Sequence, residues 1–466
     1  MRRFWFHLIA VALLSGCHAS TALLKPPLVE EGAVVLYVQP LPEETERIRF
    51  HIGAIVARRD DGKEFPLALS LPEFSAGAIK RQRFAASAVV PPGSYTGLAF
   101  HVQEAFLGGE TGEHALLVTE GPVLSPLRFE VRKGRSFFIE ATLRPAEAIR
   151  DRFRFTPSFA LVHPERPITA LTGYVANYQS NNITVFNKKS GQVVDVIETG
   201  AGPRGIALDQ ALRRAYVALA DEDAVDVIDV ARNEIIHRIM LSAGDRPQEP
   251  ALTRDGRLLV TANKGSDTVS IIDPVTFIER ERISVGRGPN AVLIDASGRR
   301  AYVFNTLSDS ISIIDLVNRT VPATISTDAG PLRGQLNRKE DSLYVIHSLS
   351  SNLSIIDTTK LSLRQQIYVG PGASSLKINI ETDRIYLGRR HDPVISVYAP
   401  GLDMPVDAIP AGGGVACMAI DGDEKSLYLL VPRSNSLRSV NMIGNRMIME
   451  LDVGADAYWV TLMGER

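Results

Sequence analysis

The sequence predicts an all-β protein in which a seven-bladed β-propeller over residues 166–466 follows a small antiparallel β-sandwich over 32–145. Three observations lead there. The octapeptide SDTVSIID at Ser266–Asp273 returns 42 residues later as SDSISIID at Ser308–Asp315. Apolar residues in and around these segments alternate every two positions, which is the strand period and not the helical one. A repeat of about 40–45 residues holding four short strands is the signature of a propeller blade.

Seven units can be aligned on Tyr174, Tyr216, Val260, Tyr302, Tyr344, Tyr386 and Tyr428. Thirteen residues after these stand Asn187, Asp229, Asp273, Asp315, Asp357, Ala399 and Asn441, so the register holds throughout. The fourth unit shows the plan: GPNAVLID from Gly288, RRAYVFN from Arg299, SISIIDL from Ser310 and TVPATIST from Thr320 are its four strands. Gly-Pro pairs and short Ser, Asp and Gly runs between them supply the backbone freedom of tight turns. The recurrent Asp is expected to bond the backbone of the turn that follows it, as short carboxylates do. The first unit has only RPITALTG before it and lacks an inner strand; Ala457–Met463 aligns with the inner strands and is expected to pair beside the Tyr174 strand, closing the ring and removing open sheet edges.

The segments YVANYQSNNITVF, VTANKGSDTVSIID and YVFNTLSDSISIID resemble the repeats of the YVTN-type β-propeller family, over residues 166–466. That family is found in surface-layer and other exported proteins. Its repeat is a scaffold that hosts lactonases, cofactor-bearing oxidoreductases and plain binding proteins, so the resemblance implies a fold more than an activity. The sixth and seventh units, YLGRRHDPVISVYA and YLLVPRSNSLRSVN, depart from the family pattern in the loop after the second strand.

The first residues, MRRFWFHLIAVALLSGCHAS, read as an export signal: two arginines, an apolar run from Phe4 to Leu14, then small residues. The run is shorter than the ~20 residues that span a bilayer. Leu14-Ser15-Gly16-Cys17 resembles the lipobox of bacterial lipoproteins, which implies cleavage after residue 16, a lipid on Cys17 and a membrane-held mature chain. His18 is not the Asp that resembles an inner-membrane retention signal, so the outer membrane is expected, with the protein facing periplasm or surface. Residues 18–31 form the expected tether. From Gly32 to about Leu143 the chain alternates like β structure without the period, and PPGSYTGLAF resembles transthyretin-like or immunoglobulin-like sandwich domains; a partial barrel is the alternative. Residues 146–165 read as a linker.

Composition narrows the function. Lys and Arg number 51 against 53 Asp and Glu, so no net field draws the chain to nucleic acid. Cys417 is the only cysteine beyond Cys17; no internal disulfide is expected, and Cys417 reads as a small buried hydrophobe.

Propellers work where the loop into strand one and the loop after strand two converge on the central channel. The position after each Gly-Pro turn is Arg204, Gln248, Asn290, Leu332, Ser374, Ala416 or Tyr458, and strand two ends on Asn177, Leu219, Asn263, Asn305, His347, Arg389 or Val431. These columns hold no carboxylate and one imidazole, too few groups for a metal site or an acid–base pair. No metal or cofactor is expected. GRRHDP at Gly388–Pro393, next to His347 and near Arg333, could hold a carboxylate, a phosphate or an acidic loop of a partner. The candidate ligand-binding residues are Arg204, Asn290, His347, Arg389, Arg390, His391 and Tyr458. The expected function is a lipid-anchored envelope binding or scaffold protein that offers its rim to a protein or glycan. An enzyme, lactonase-like or quinoprotein-like, is the alternative, with Glu249, Arg204, His347 and Arg389 as suspects. A subunit of an envelope electron-transfer or export assembly is the third reading.

Overall fold

The computed structural model describes residues 26–109, 112–151 and 153–465. The segment read as an export signal, Cys17 and the start of the expected tether lie outside the described residues. The fold is all-β and propeller-like. From Thr172 onward the strands form seven four-stranded antiparallel sheets, six of them built from four consecutive strands. The first sheet combines Thr172–Asn177, Asn182–Asn187 and Gln192–Glu198 with Ala457–Leu462 from the far end of the chain. In that pairing Gly173 faces Leu462 and Val175 faces Val460, beside the Tyr174 strand as the alignment leads one to expect. The innermost strands, from Pro203–Asp209 through Cys417–Asp421 to Ala457–Leu462, touch in succession, and the last touches the first, so the sheets follow one another in a closed cycle.

The repeated residues account for the repeated geometry. Asp229, Asp273, Asp315 and Asp357 each accept two backbone N–H groups of the following turn, at 2.7–3.2 Å, and Asn187 and Asn441 do the same. A second set, Asn181, Asp223, Asp267 and Asp309, adopts positive φ and receives the N–H of Gly202, Gly244, Gly288 and Gly330, fixing the loop into the next sheet. The tyrosines of the second strands fill the space between sheets; Tyr174 and Tyr216 are buried and reach the carbonyls of Val230 and Pro274 in the adjoining sheet.

The described residues of 32–162 form two larger sheets and a small one, of Ile149–Arg150, Arg154–Phe155 and Leu117–Val118, around one apolar core that includes Phe50, Phe74, Phe100, Phe155 and Phe159. One sheet has the order Phe159–Val162, Ser136–Leu143, Gly32–Val38, Arg83–Val90, Ala68–Leu69; the other is built on Val123–Val131, Gly93–Gly109, Ile48–Arg59 and Glu64–Pro66. Two expectations are corrected. Gly32–Val38 runs parallel to Ser136–Leu143, so this part is not purely antiparallel. The stretch 146–165 is not a free linker, because Phe159–Val162 pairs with Ser136–Leu143 and buries Phe159 and Leu161.

The free face of the five-stranded sheet packs on the cycle. Val35, Tyr37 and Phe138 share a core with Val193 and Val196 of the first sheet and Leu451 and Val453 at the end of the seventh. Gln82 exchanges two hydrogen bonds with the Val193 backbone, at 2.8 and 3.0 Å, as a neighbouring strand would. Asp452 receives the Phe84 N–H at 3.0 Å and ion-pairs with Arg83 at 2.9 Å and Arg81 at 2.7 Å. The N-terminal sheets therefore straddle the junction between the seventh and first sheets.

Candidate functional site

The upper part of the channel is lined by the second and third residues of several inner strands. A β-bulge near the start of these strands, between Pro203 and Ile206, Pro247 and Pro250, and Pro331 and Arg333, shifts which side chain turns inward. The inner strands approach so closely that a Cβ on Gly205 would lie 2.7 Å from the Glu249 Cα, which explains glycine there.

Arg333 Nη2 donates to Glu249 Oε1 at 2.6 Å, and Tyr458 Oη donates to the same oxygen at 3.1 Å. Glu249 is 3% exposed, and Arg333 and Tyr458 are half-buried. Burial pushes its carboxyl above the ordinary range, against the pull of Arg333, Tyr458 and Arg204. Burial likewise raises the Tyr458 phenol, and the Glu249 charge adds to it.

Arg204 lies between two rings, with its guanidinium carbon 4.4 Å from the Tyr178 centroid and 4.5 Å from that of Tyr458, in cation–π geometry. Tyr178 Oη donates to Asp221 Oδ2 at 2.7 Å, which holds that ring in place. Arg333 lies 5.3 Å from the Trp459 ring. Lys264, just past the second strand of the third sheet, has its pKa lowered by burial and then by Arg204 and Arg246. Arg246 has Asp221 at 3.8 Å. Among the described residues neither Arg204 nor Lys264 has a carboxylate within ion-pair distance, while Glu249 is committed to Arg333. Arg204 Nε, Arg333 Nε and Trp459 Nε1 are buried donors without a partner. Buried N–H groups are rarely left so, and three around one channel mark a place where water or a ligand acceptor belongs.

The far end of the channel is stopped. Lys377 Nζ on the inner strand of the sixth sheet pairs with Glu465 Oε1 at 2.6 Å, and Gln210 Nε2 holds the Glu465 carbonyl at 3.1 Å. Nearby, Lys188 Nζ joins Asp421 Oδ2 at 2.6 Å and the Met463 carbonyl at 2.8 Å.

Three of the sequence-derived candidates, Arg204, Glu249 and Tyr458, thus meet at one place. The others do not join them. His347 is buried in its own hairpin, with Nδ1 3.2 Å from the Asn352 carbonyl and its pKa lowered by burial. Arg389 is spent on the Val369 carbonyl, Asp392 and Ser396. Asn290 Nδ2 bonds the Leu332 carbonyl at 3.2 Å. Arg390 and His391 stand exposed on the loop beyond. Arg333, expected near the GRRHDP loop, points into the channel instead. The strand-end asparagines are struts: Asn177, Asn263 and Asn305 each donate to two side-chain oxygens on the third strand. Tyr178, Lys264 and Trp459 escaped the sequence reading, although Tyr458-Trp459 in the closing strand was a signal, since aromatic residues there must face either the channel or a neighbouring sheet. Among the described residues no group of three or more His, Cys, Asp or Glu is placed to hold a metal ion.

No protein-family model matches this chain, and no curated protein matches it. Its likeness is to solved structures. Hydrazine synthase of Kuenenia stuttgartiensis is 16% identical with a TM-score of 0.53, over 60% of this chain and 97% of that one. The dihydro-heme d1 dehydrogenase NirN in complex with DHE is 11% identical with a TM-score of 0.51, over 65% of this chain and 78% of that one. A functionally unknown protein of Desulfotomaculum acetoxidans is 10% identical with a TM-score of 0.56, over 62% and 98%. At these identities the likeness is one of fold.

Proposed function

We propose that this protein is a binding protein of the bacterial cell envelope, anchored by a lipid on Cys17, that takes an anionic group of its ligand into the mouth of a blind central channel. On this reading the seven-sheet cycle is a seven-bladed β-propeller of the YVTN type, and the two larger N-terminal sheets are a sandwich that spaces the cycle from the membrane. The observation that carries the reading is Arg204: a half-buried guanidinium clasped between Tyr178 and Tyr458, its Nε buried and unpartnered, without an acidic partner within ion-pair distance, beside Lys264. An unpaired, partly desolvated charge is costly, and a carboxylate or phosphate edge on the open side of that guanidinium would relieve the cost. The aromatic rings leave only the guanidinium edge free, which favours in-plane, two-point contact. The channel arginines and aromatic rings also fit a flat, acid-bearing ligand, and the neighbour NirN is described in complex with DHE. Arg390 and His391, exposed on the loop beyond Arg389, leave the rim as a contact for protein or glycan partners.

The test uses the tryptophan in the site. Trp5 and Trp459 are the only tryptophans of the chain, so a form processed at Cys17 keeps Trp459 alone. Its fluorescence during titration with benzoate, citrate and inorganic phosphate is expected to change saturably, and to stop doing so in Arg204→Ala. A flat response to all three in the parent protein sinks the proposal.

A further inference from the structure

A second cleft, of about 740 Å³, lies where the five-stranded sheet leans over the first and seventh sheets. That volume falls within the range of about 300–1,000 Å³ typical of small-ligand sites. One wall is the N-terminal sheet, with Val35, Tyr37 and Phe84 as an apolar surface and Ser70 and Ser87 beside it. The opposite wall is the cycle, with Asn182 and Asn435. Phe84 is half-buried and packs against Tyr37 at 5.5 Å between centroids.

Two features define what this cleft can hold. Two of its three charged lining residues, Arg83 and Asp452, pair with each other at 2.9 Å, and the third, Glu198, is almost wholly buried at 5% exposure. Its hydrogen-bonding groups, by contrast, are open: among the described residues the side chains of Ser70, Ser87 and Asn435 make no hydrogen bond within the protein, and Asn182 uses only Oδ1, as acceptor from Asn177. An anionic ligand meets no uncommitted cation here, since Arg83 is the one basic residue among the described residues of the lining. A peptide finds little edge strand to extend, since Ala68–Leu69 at the sheet margin is two residues long. A neutral ligand with an apolar face and a rim of hydroxyls meets both walls, its C–H face on Phe84 and its hydroxyls on the serines and asparagines.

We propose that the cleft between the N-terminal sheets and the sheet cycle is a second binding site, specific for a short uncharged oligosaccharide. It is independent of the channel reading. Because the walls belong to both parts of the molecule, the occupied cleft adds a bridge across their junction, and binding raises the unfolding temperature by mass action.

Calorimetric titration of the full-length protein with maltotriose and with chitotriose tests this. At least one is expected to bind saturably, with affinity reduced roughly tenfold by Asn435→Ala, the loss of about one good hydrogen bond, and abolished by Ser87→Trp, which fills the space. Ala68→Trp, at an exposed margin of the same cleft, serves if Ser87→Trp does not fold. Leu349→Ala, on the exposed rim of the fifth sheet, is expected to leave sugar binding unchanged. The proposal is overturned if neither sugar saturates, if the filling variant that folds binds as the parent does, or if a neutral tetrapeptide occupies the cleft in place of the sugars.

Discussion

Arg333 and Glu249 meet across the channel at 2.6 Å from inner strands two sheets apart, and Tyr458 of the first sheet joins them on the same carboxylate oxygen. One buried acid thereby ties the third, fifth and first sheets together. Removing one partner of such a pair strands a charge in a poorly solvated place. Glu249→Gln is expected to lower stability by about 3–5 kcal/mol. The double variant Glu249→Leu with Arg333→Met is expected to recover most of that loss, because a pair of apolar groups costs no desolvation. Urea unfolding of the three proteins measures both; equal stability of Glu249→Gln and the parent refutes the tie.

Arg204 has the opposite character, a charge awaiting its partner. Arg204→Ala is expected to leave the protein folded, to abolish anion binding, and to raise the Lys264 pKa by removing a neighbouring cation. Amine-selective labelling of Lys264 against pH reads the last effect, with the parent reacting at lower pH than the variant.

The turn aspartates predict an acid limit. Hydrogen bonds from the following backbone hold Asp273 from 3.8 down to about 2, with Arg280 helping, and Asp357 reaches about 2 with Arg364 as its main partner. A carboxyl whose folded pKa is depressed contributes stability that is complete above its unfolded value and is lost as pH falls through the folded one. The sheet cycle is therefore expected to weaken between about pH 4 and 2. Replacing both residues by Asn is expected to lower stability at pH 7 and flatten its dependence across that window, as followed by circular dichroism. An unchanged slope would show that these turns do not govern acid unfolding.

Asp452 is the anchor of the N-terminal sheets. Asp452→Ala leaves Arg81, Arg83 and the Phe84 N–H without their acceptor at a half-dry interface, a loss of about 2 kcal/mol or more. Amide exchange is expected to accelerate along Arg83–Val90 and Gln192–Glu198 together, while the strands of the fourth sheet keep their protection. Acceleration confined to one side would mean that the interface does not act as a unit.

The period, the turn acids and the closing strand were all legible in the sequence, because each arises from interactions repeated many times or from a strand missing at one end and spare at the other. The channel was legible only in part. Counting from the Gly-Pro turn placed Gln248 and Leu332 inward, whereas a bulge in the inner strand brings Glu249 and Arg333 into the channel, and a bulge leaves no mark on polarity alone. His347 and Arg389 looked free because they break a column of asparagines; each in fact takes over the asparagine's duty of fastening the third strand. Phe159–Val162 was hidden by its brevity and by the prolines on both sides. The docking of Val35, Tyr37 and Phe138 could not be read, since an alternating strand with two apolar faces declares that it is covered twice and does not say by what.

That docking has a kinetic consequence. The Asp452 carboxylate and the Ala457–Leu462 strand emerge from the ribosome hundreds of residues after the surfaces they complete at Arg83 and Thr172. Contacts so distant along the chain slow folding, because a long loop must be ordered before it is rewarded. A nascent chain of this protein waits with an open seam and an uncovered apolar sheet until Asp452 and Ala457–Leu462 have been made, and that interval is when chaperones have most to protect.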